Sequence, residues 1–324
     1  MKATRTRSAE HLDWWRERLA GAPTALELPT DLRRPPVVGG ATDQIVETLP
    51  SSLRSDLQAL GADAGGGLAD VLLAAWALLL HRYAGNDEVV VAIPTPPGRR
   101  QETRQAGTRG NIICVRIDLS ADPVFTDLIE QVVGTRRESE AHSEVPIETV
   151  IDAMTGQNVD PSRHPVYQTL FDFVPDELRE TTAGGLRATK QPPEARSELD
   201  LELRVQDGEE GTTLQLVWAT ALFEPASAQR MQGHLLRLLG SAASQPNTSA
   251  SRIPLLGSEE RSQILDEWND TASDYRDTTL MFQPFEVNAA EHPDRTALLF
   301  ECEQVSYGEL NARANRLAHH LRSE

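Results

Sequence analysis

Histidine side chains are the groups in this sequence best suited to acid–base chemistry, because the ordinary pKa of histidine lies close to neutral pH. Eight histidines are present. His81 and His234 lie in predicted helices and are interpreted as packing or surface residues. His142 ends a predicted helix, where a cation interacts favourably with the helix dipole. His319 and His320 form the only adjacent pair, and no recognisable catalytic or metal-binding pattern surrounds them.

A glycine triplet is the other feature with a chemical precedent. Gly65-Gly66-Gly67 precedes an apolar helix, as in loops that direct backbone N–H groups at a phosphate. No Lys-Ser or Lys-Thr pair follows, and the serine of a carrier-protein attachment loop is missing, so we predict a turn. Gly-x-Ser-x-Gly, His-Glu-x-x-His and Cys-His arrangements are absent from the sequence. The residues alone therefore predict no catalytic residue and no metal site.

The composition is that of a globular, acidic chain. Asp and Glu total 49 against 31 Lys and Arg, which gives a formal net charge of −18 and disfavours nucleic acid and anionic membranes as partners. Cys114 and Cys302 are the only cysteines, so neither a disulfide framework nor a zinc spacing exists. No stretch approaches the ~20 apolar residues of a membrane span. We expect a cytoplasmic protein in a reducing compartment.

Apolar periodicity predicts helices that alternate with strands. Helices are predicted over residues 8–20, 53–62, 68–83, 122–142, 146–154, 225–239, 258–268, 280–290 and 308–321. Strands are predicted over residues 45–49, 89–93, 112–119, 167–173, 199–205, 212–218 and 297–300. Ser8 is predicted to cap the first helix, and Gly85 to follow the end of the buried third. Alternation without a repeat favours a layered α/β domain.

A change in composition divides the chain. Residues 240–251 and 269–279 are polar, and we place a domain boundary near Asp270. The remaining ~50 residues are too few to bury a stable core of their own, so they are predicted to be the truncated beginning of a second domain.

Several segments follow one another in an order specific to one family. HLDWWRERLAGAPTALELPTDLRRPP resembles the inter-lobe helix and linker of the condensation domains of nonribosomal peptide synthetases, and LADVLLAAWALLLHRYAGNDEVVVAIPTPPGR resembles the buried helix and strand that come next. The similarity continues in GNIICVRIDLSADPVFTDLIEQV, AHSEVPIETVIDAM, VDPSRHPVYQTLFDF, SELDLELRV and ALFEPASAQRMQGHLLRLL. Near the end, VSYGEL is similar to the first core motif of adenylation domains.

This resemblance implies the α/β fold of a chloramphenicol-acetyltransferase-like lobe, followed by a truncated N-terminal piece of an adenylation domain. Residues 1–36 would be the inter-lobe helix and linker, 37–245 the C-terminal lobe, 246–278 a linker and 279–324 the adenylation start. The family forms an amide bond between acyl or peptidyl and aminoacyl thioesters. Its catalytic His-His-x-x-x-Asp-Gly motif belongs to the first lobe and is absent from this sequence. The resemblance therefore implies a fragment that is inactive alone.

The implied partners are peptidyl carrier proteins, the missing first lobe and the remainder of the adenylation domain. No cofactor would bind directly, since substrates arrive on the phosphopantetheine of carrier proteins. Four residues match condensation motifs: Asn111 as a tunnel-lining or structural position, and Ser162, Arg163 and Asp200 as positions that hold the lobe together. Tyr307 belongs to the adenylation core motif and shapes the fold.

Two alternatives stay open from the residues. The four condensation-motif positions are also typical of hydrogen-bonding residues in turns and at strand starts, and Arg163 with Asp200 is a candidate partly buried ion pair. The sequence also departs from the family motifs at Ile112, Val159, His164 and the pair Ser143-Glu144. These departures leave a non-catalytic docking module, which recruits a carrier protein or a tailoring enzyme, as the alternative function.

Overall fold

A computed structural model describes residues 2–95, 111–154, 160–175, 180–183, 186–189, 198–209, 211–272 and 280–324. The chain divides into two compact units, Met1–Arg261 and Ser262–Glu324. Each unit is described separately below.

The first unit contains helices and strands in alternation. Its helices are α1 (Lys2–Leu19), α2 (Ser51–Asp63), α3 (Leu68–Ala84), α4 (Phe125–Ala141), α5 (Ile147–Met154) and α6 (Pro225–Ser244), and the short helix α7 (Ser258–Ser262) covers the boundary between the units. Its strands are β1 (Thr42–Leu49), β2 (Glu88–Pro94), β3 (Ile112–Asp118), β4 (Thr169–Pro175), β5 (Glu180–Ala183), β6 (Leu186–Thr189), β7 (Leu201–Gly208) and β8 (Gly211–Ala219). The predicted α/β class is confirmed.

Six of these strands form one mixed sheet in the order β1-β8-β7-β4-β2-β3. β4 runs parallel to β2 and β7, whereas the β1–β8, β7–β8 and β2–β3 pairs are antiparallel. The hairpin of β5 and β6 is a separate sheet that the sequence patterns did not predict. Its two strands are four residues each, too short for a clear period-2 signal.

Alternating side chains of the sheet supply two apolar cores, one on each face. Val89 and Val91 of β2 point into the larger core, together with α2, α3, α4 and α6. Val90 and Ala92 belong to the smaller core, which Trp15 of α1 and Val150 of α5 complete. Strand alternation thus places helices on both faces of the sheet.

Helix α3 is the centre of the larger core, and its boundaries follow from local signals. Twelve of its 17 residues are buried, as its all-round apolar sequence predicts. It ends at Gly85, which adopts a left-handed conformation with φ 71°. A residue with a Cβ atom is strained in that conformation, so glycine is the favoured cap.

Replacing Gly85 by alanine should lower the free energy of unfolding of the first unit by about 1 kcal/mol, because alanine resists positive φ. Urea denaturation followed by circular dichroism measures the change. Gly134 lies inside α4, and a Cβ atom added there would meet no other atom within 4 Å, so Gly134→Ala is the matched control and should stabilise by up to ~1 kcal/mol. Equal effects at the two glycines would contradict the assigned role of Gly85.

The start of α1 corrects a sequence-based expectation. The sequence predicts Ser8 as the N-cap, but the helix begins at Lys2, and Ser8 lies within it. The polar residues before Ser8 carry no apolar periodicity, so the pattern detected only the part of the helix that packs on the core. Trp15 and Leu19 of that part are both buried.

The second unit contains a π-helical turn (Gln263–Glu267), α8 (Gln283–Glu291), the hairpin β9 (Thr296–Phe300) and β10 (Glu303–Ser306), and α9 (Tyr307–Ser323). The predicted helix over residues 258–268 is therefore a short α-helix followed by the π-helical turn. Several apolar side chains of this unit are exposed, among them Phe300 at 73% and Met281 at 98%. Among the described residues no single helix is long and apolar enough to span a membrane; α2 and α3 meet that criterion only as a pair bent by 97°.

Candidate functional site

Asn111, which directly precedes β3, organises the turn between α4 and α5. Its side-chain Nδ2 donates hydrogen bonds to the carbonyl oxygens of Ser143 (2.8 Å) and Val145 (2.6 Å). Its Oδ1 accepts from the backbone N–H groups of Ile112 (2.9 Å) and Ile147 (3.0 Å). One amide side chain thus fixes residues 143–147 against the edge strand with two donors and two acceptors. A tunnel-lining role for Asn111 stays a prediction.

Asp200 lies just before β7 and forms an ion pair with Arg34. The carboxylate receives two hydrogen bonds, at 2.8 Å from Arg34 Nη1 and 2.5 Å from Arg34 Nη2. Asp200 is 2% exposed and the Arg34 side chain 16%. Hydrogen bonding to Asp200 raises the pKa of Arg34 and outweighs the effect of burial. The pair ties the linker before β1 to the centre of the sheet.

The candidate ion pair between Arg163 and Asp200 is wrong. Arg163 Nη2 instead bonds Glu27 at 3.1 Å, and Arg163 Nε lies 3.9 Å from Asp160. Asp200 instead forms a bidentate ion pair with Arg34, a residue that no sequence pattern identified. Arg34 lies in a Pro-rich linker, and the local sequence there does not predict a partner 166 residues away.

Ser162 contributes through its backbone to the same region. Its N–H donates to the Asp160 carboxylate at 2.9 Å, and its carbonyl oxygen accepts from Arg34 Nη1 at 3.2 Å. Arg34 therefore joins Ser162 and Asp200, two of the positions selected by motif resemblance. These contacts position backbone segments, and Arg34 holds Asp200, the one carboxylate among the four motif residues.

The histidines within the first unit make contacts with protein groups. His81 Nδ1 lies 2.7 Å from the Asn86 carbonyl oxygen, and His234 lies between the Tyr83 hydroxyl (2.6 Å) and the Glu260 carboxylate (2.9 Å). His164, a departure from the family motif, accepts from the N–H of Tyr167 at 3.3 Å. Burial lowers the pKa of His164.

The glycine triplet forms the predicted turn between α2 and α3. The Gly67 N–H donates to the Asp70 carboxylate at 3.0 Å, and Arg136 of α4 pairs with the same carboxylate at 2.6 Å. A Cβ atom at Gly66 would lie 2.5 Å from a methyl group of Val133, so the turn is closely packed by α4. The Asp70 carboxylate already accepts the Gly67 N–H that a bound phosphate would use.

The buried Cys114 and the described arrangement of possible metal ligands give no support to thiolate or metal chemistry. Burial raises the pKa of the Cys114 thiol to about 12, so the thiol is protonated at neutral pH. In the described part of the chain, no cluster of three or more His, Cys, Asp and Glu side chains is placed to hold a metal ion. His319 and His320 lie on α9 as exposed residues.

Tyr307 begins α9 of the second unit, and its surroundings explain the form of the VSYGEL segment. Ser306 caps the helix, because its Oγ accepts from the Glu309 N–H at 3.2 Å. A Cβ atom at Gly308 would lie 3.1 Å from the carbonyl oxygen of Pro293, so the backbone approaches closely there. The centroid of the Tyr307 ring lies 5.8 Å from the centroid of the Phe285 ring. The segment therefore joins a hairpin to two helices.

Comparisons with known proteins add to this geometry. The family model described as Condensation domain matches residues 2–265. Tyrocidine synthase 2 of Brevibacillus parabrevis is 32% identical over 317 residues, which is 96% of this chain but 9% of that synthase. This chain thus spans a small fraction of the curated relatives that it matches.

Two solved structures have a similar fold. One is a four-domain nonribosomal peptide synthetase bound to AMP and glycine, with 23% identity and a TM-score of 0.75 over 97% of this chain and 25% of that chain. The other is the complex of the X-domain and OxyB from teicoplanin biosynthesis, with 25% identity and a TM-score of 0.67 over 78% of this chain and 56% of that chain. Since the family match covers most of its length, the chain belongs to the condensation domain family of nonribosomal peptide synthetases.

Proposed function

We propose that residues up to about 245 are the C-terminal lobe of a condensation domain, which forms an amide bond between two carrier-bound thioesters only together with a first lobe. The observation that carries the proposal is the family match to a sequence without the His-His-x-x-x-Asp-Gly motif. The only adjacent histidines in the sequence are His319 and His320. The residues that follow them, Leu-Arg-Ser-Glu, do not fit the motif, and the pair lies beyond the residues matched by the family model. The X-domain alignment, which reaches 56% of that chain, supports a partial domain.

The chemistry of amide formation suggests a different role for each of the two lobes. Much of the acceleration comes from holding the amine and the thioester in an attack geometry, and a general base assists the proton transfer. The first lobe would supply the base. This lobe would supply a rigid wall, whose strands and linker are held by the Arg34–Asp200 pair and by Asn111. The substrates would be presented on the phosphopantetheine of carrier proteins, so the chain itself would bind no cofactor.

We also propose that residues 279–324 are the beginning of an adenylation domain. The condensation match ends at residue 265, whereas the tyrocidine synthase relative aligns over 96% of the chain. The exposed apolar side chains of the hairpin, including Leu299 at 67% and Phe300 at 73%, are typical of a core that further chain covers. The remainder of that domain would therefore be a direct partner of this unit.

The purified chain should make no amide product from two loaded carrier proteins and should show no ATP–pyrophosphate exchange. The chain lacks the paired-histidine motif, and its resemblance to adenylation domains covers only a first core motif. Mass spectrometry of the carrier-bound thioesters and a radiolabel exchange assay measure the two activities. Product above the no-enzyme control in either assay would contradict the corresponding part of the proposal.

A docking module is the second candidate function. The observation that favours it is the similarity to an X-domain whose solved structure is a complex with OxyB, together with the motif departures at Ile112 and His164. The two functions differ in one outcome. A docking module would bind a carrier protein or tailoring enzyme yet form no amide bond even when the first lobe with its histidine motif is present.

A further inference from the structure

Helix α1 carries a histidine that meets His142 at the C-terminal end of α4. The two Nδ1 atoms lie 2.7 Å apart, and the rings meet edge to face with centroids 4.6 Å apart. Trp14 stacks on the His142 ring, with centroids 4.1 Å apart and an interplanar angle of 4°. Trp15 Nε1 donates to the His142 carbonyl oxygen at 3.1 Å. Three side chains of α1 thus converge on one residue.

The His11–His142 contact depends on the number of protons on the two rings. A hydrogen bond between two Nδ1 atoms needs one protonated and one bare nitrogen. Two neutral rings in suitable tautomers satisfy this condition, as does one neutral ring with one cation. Two cations do not, because two N–H groups would then face each other at 2.7 Å and the two positive charges would repel.

We propose that His11 and His142 form a protonation-sensitive latch, which holds the segment of α1 around residues 8–14 on the first unit and releases it when both rings are charged. The C-terminal part of α1, from Trp15 onward, would remain attached. Trp15 and Leu19 are 2% and 3% exposed in the smaller core, and Arg116 binds the carbonyl oxygens of Arg18 and Ala20 at the C-terminal end of α1.

Burial favours the closed form of the latch at neutral pH, and the carboxylate of Glu138 opposes it. Burial and the neighbouring His11 lower the pKa of His142, and Glu138 of α4 acts in the opposite direction. The Glu138 carboxylate also lies 3.8 Å from Nη2 of Arg18 in α1. This second positive charge weakens the electrostatic effect of Glu138 on the His142 imidazole. Glu144 of the turn and Glu148 of α5 are exposed, as are Glu10 and Asp13 of α1.

The sign of the pH effect follows from the lowered pKa. A histidine with a pKa below its unfolded value stabilises the structure above that value, about 6.5, and the stabilisation is lost as the pH falls through the folded pKa. Release of residues 8–14 is therefore expected on the acidic side of the ordinary histidine range. The latch closes at neutral pH and opens toward about pH 5.

Hydrogen exchange of the full chain, corrected for the intrinsic rate at each pH, tests the latch. Protection of amides 8–14 should fall about tenfold between about pH 7.5 and pH 5 in the unsubstituted protein. His11→Gln should reduce this pH dependence to less than about twofold. His319→Gln, an exposed position in the second unit, is the matched control and should keep the tenfold fall.

Two results would overturn the proposal: protection of residues 8–14 that does not change with pH, or an unchanged pH dependence in His11→Gln. If the variant does not fold, imidazole NMR of the unsubstituted protein decides. The latch predicts two coupled titrations, in which one ring gains its proton only well below the ordinary histidine pKa. Independent titration of both rings at ordinary values would also overturn it.

Discussion

Asp200→Asn is expected to lower the free energy of unfolding of the first unit by about 3 kcal/mol. The substitution keeps the shape of the side chain but removes the charge that compensates Arg34, and breaking one partner of a buried pair typically costs about 3–5 kcal/mol. Asp200 is 2% exposed and the Arg34 side chain 16%, so water can replace little of the lost interaction. Urea denaturation followed by circular dichroism measures the change.

An exposed ion pair of comparable distance provides the control. Asp13 lies 2.9 Å from Arg16, and these side chains are 67% and 51% exposed, so Asp13→Asn should change stability by less than about 0.5 kcal/mol. The double variant with Arg34→Gln should recover part of the loss, because no uncompensated charge remains. A loss below about 1 kcal/mol for Asp200→Asn would refute the assigned role of the pair.

Asn111→Ala is expected to cost about 2–4 kcal/mol, because it removes four hydrogen bonds and leaves backbone groups of Ile112, Ser143, Val145 and Ile147 without that partner. Hydrogen exchange should show the loss most strongly in the turn at residues 143–147. A purely surface role for Asn111 would instead leave this turn as protected as before.

Two variants sharpen the test of Asn111. Asn111→Asp keeps both acceptors but places a carboxylate against two carbonyl oxygens, so it should be at least as destabilising as alanine. Asn247, an exposed asparagine whose side chain makes a long contact of 3.5 Å with the Thr126 hydroxyl, is the control position. Asn247→Ala should change stability by less than about 0.5 kcal/mol.

Local elements were predictable from sequence because their causes are local. The apolar run of α3 and the glycine that ends it predicted the helix over residues 68–83, and the structure has Leu68–Ala84. The β-branched run at residues 89–93 likewise predicted β2. In both segments the residues that form the element also specify its ends.

The partners of the motif residues were not predictable from sequence. Asp200 pairs with a residue 166 positions earlier, and His142 meets His11 across 131 positions. Hydrophobic periodicity and secondary-structure propensity are local and do not predict such contacts. The contacts form only when the linker and α1 fold back onto the sheet. Motif resemblance identified Asn111 and Asp200, yet the geometry was needed to show that one organises a turn and the other binds Arg34.

The central claim is that this chain supplies one lobe of a condensation domain and needs the first lobe for catalysis. The most direct test is amide formation between two loaded carrier proteins by this chain fused in frame to a family first lobe that carries the paired-histidine motif. The fusion should yield the amide-linked thioester by mass spectrometry, whereas the chain alone and a fusion with the motif histidines replaced by alanine should yield none. Product from the chain alone, or none from the intact fusion despite cooperative folding and carrier binding, would contradict the claim.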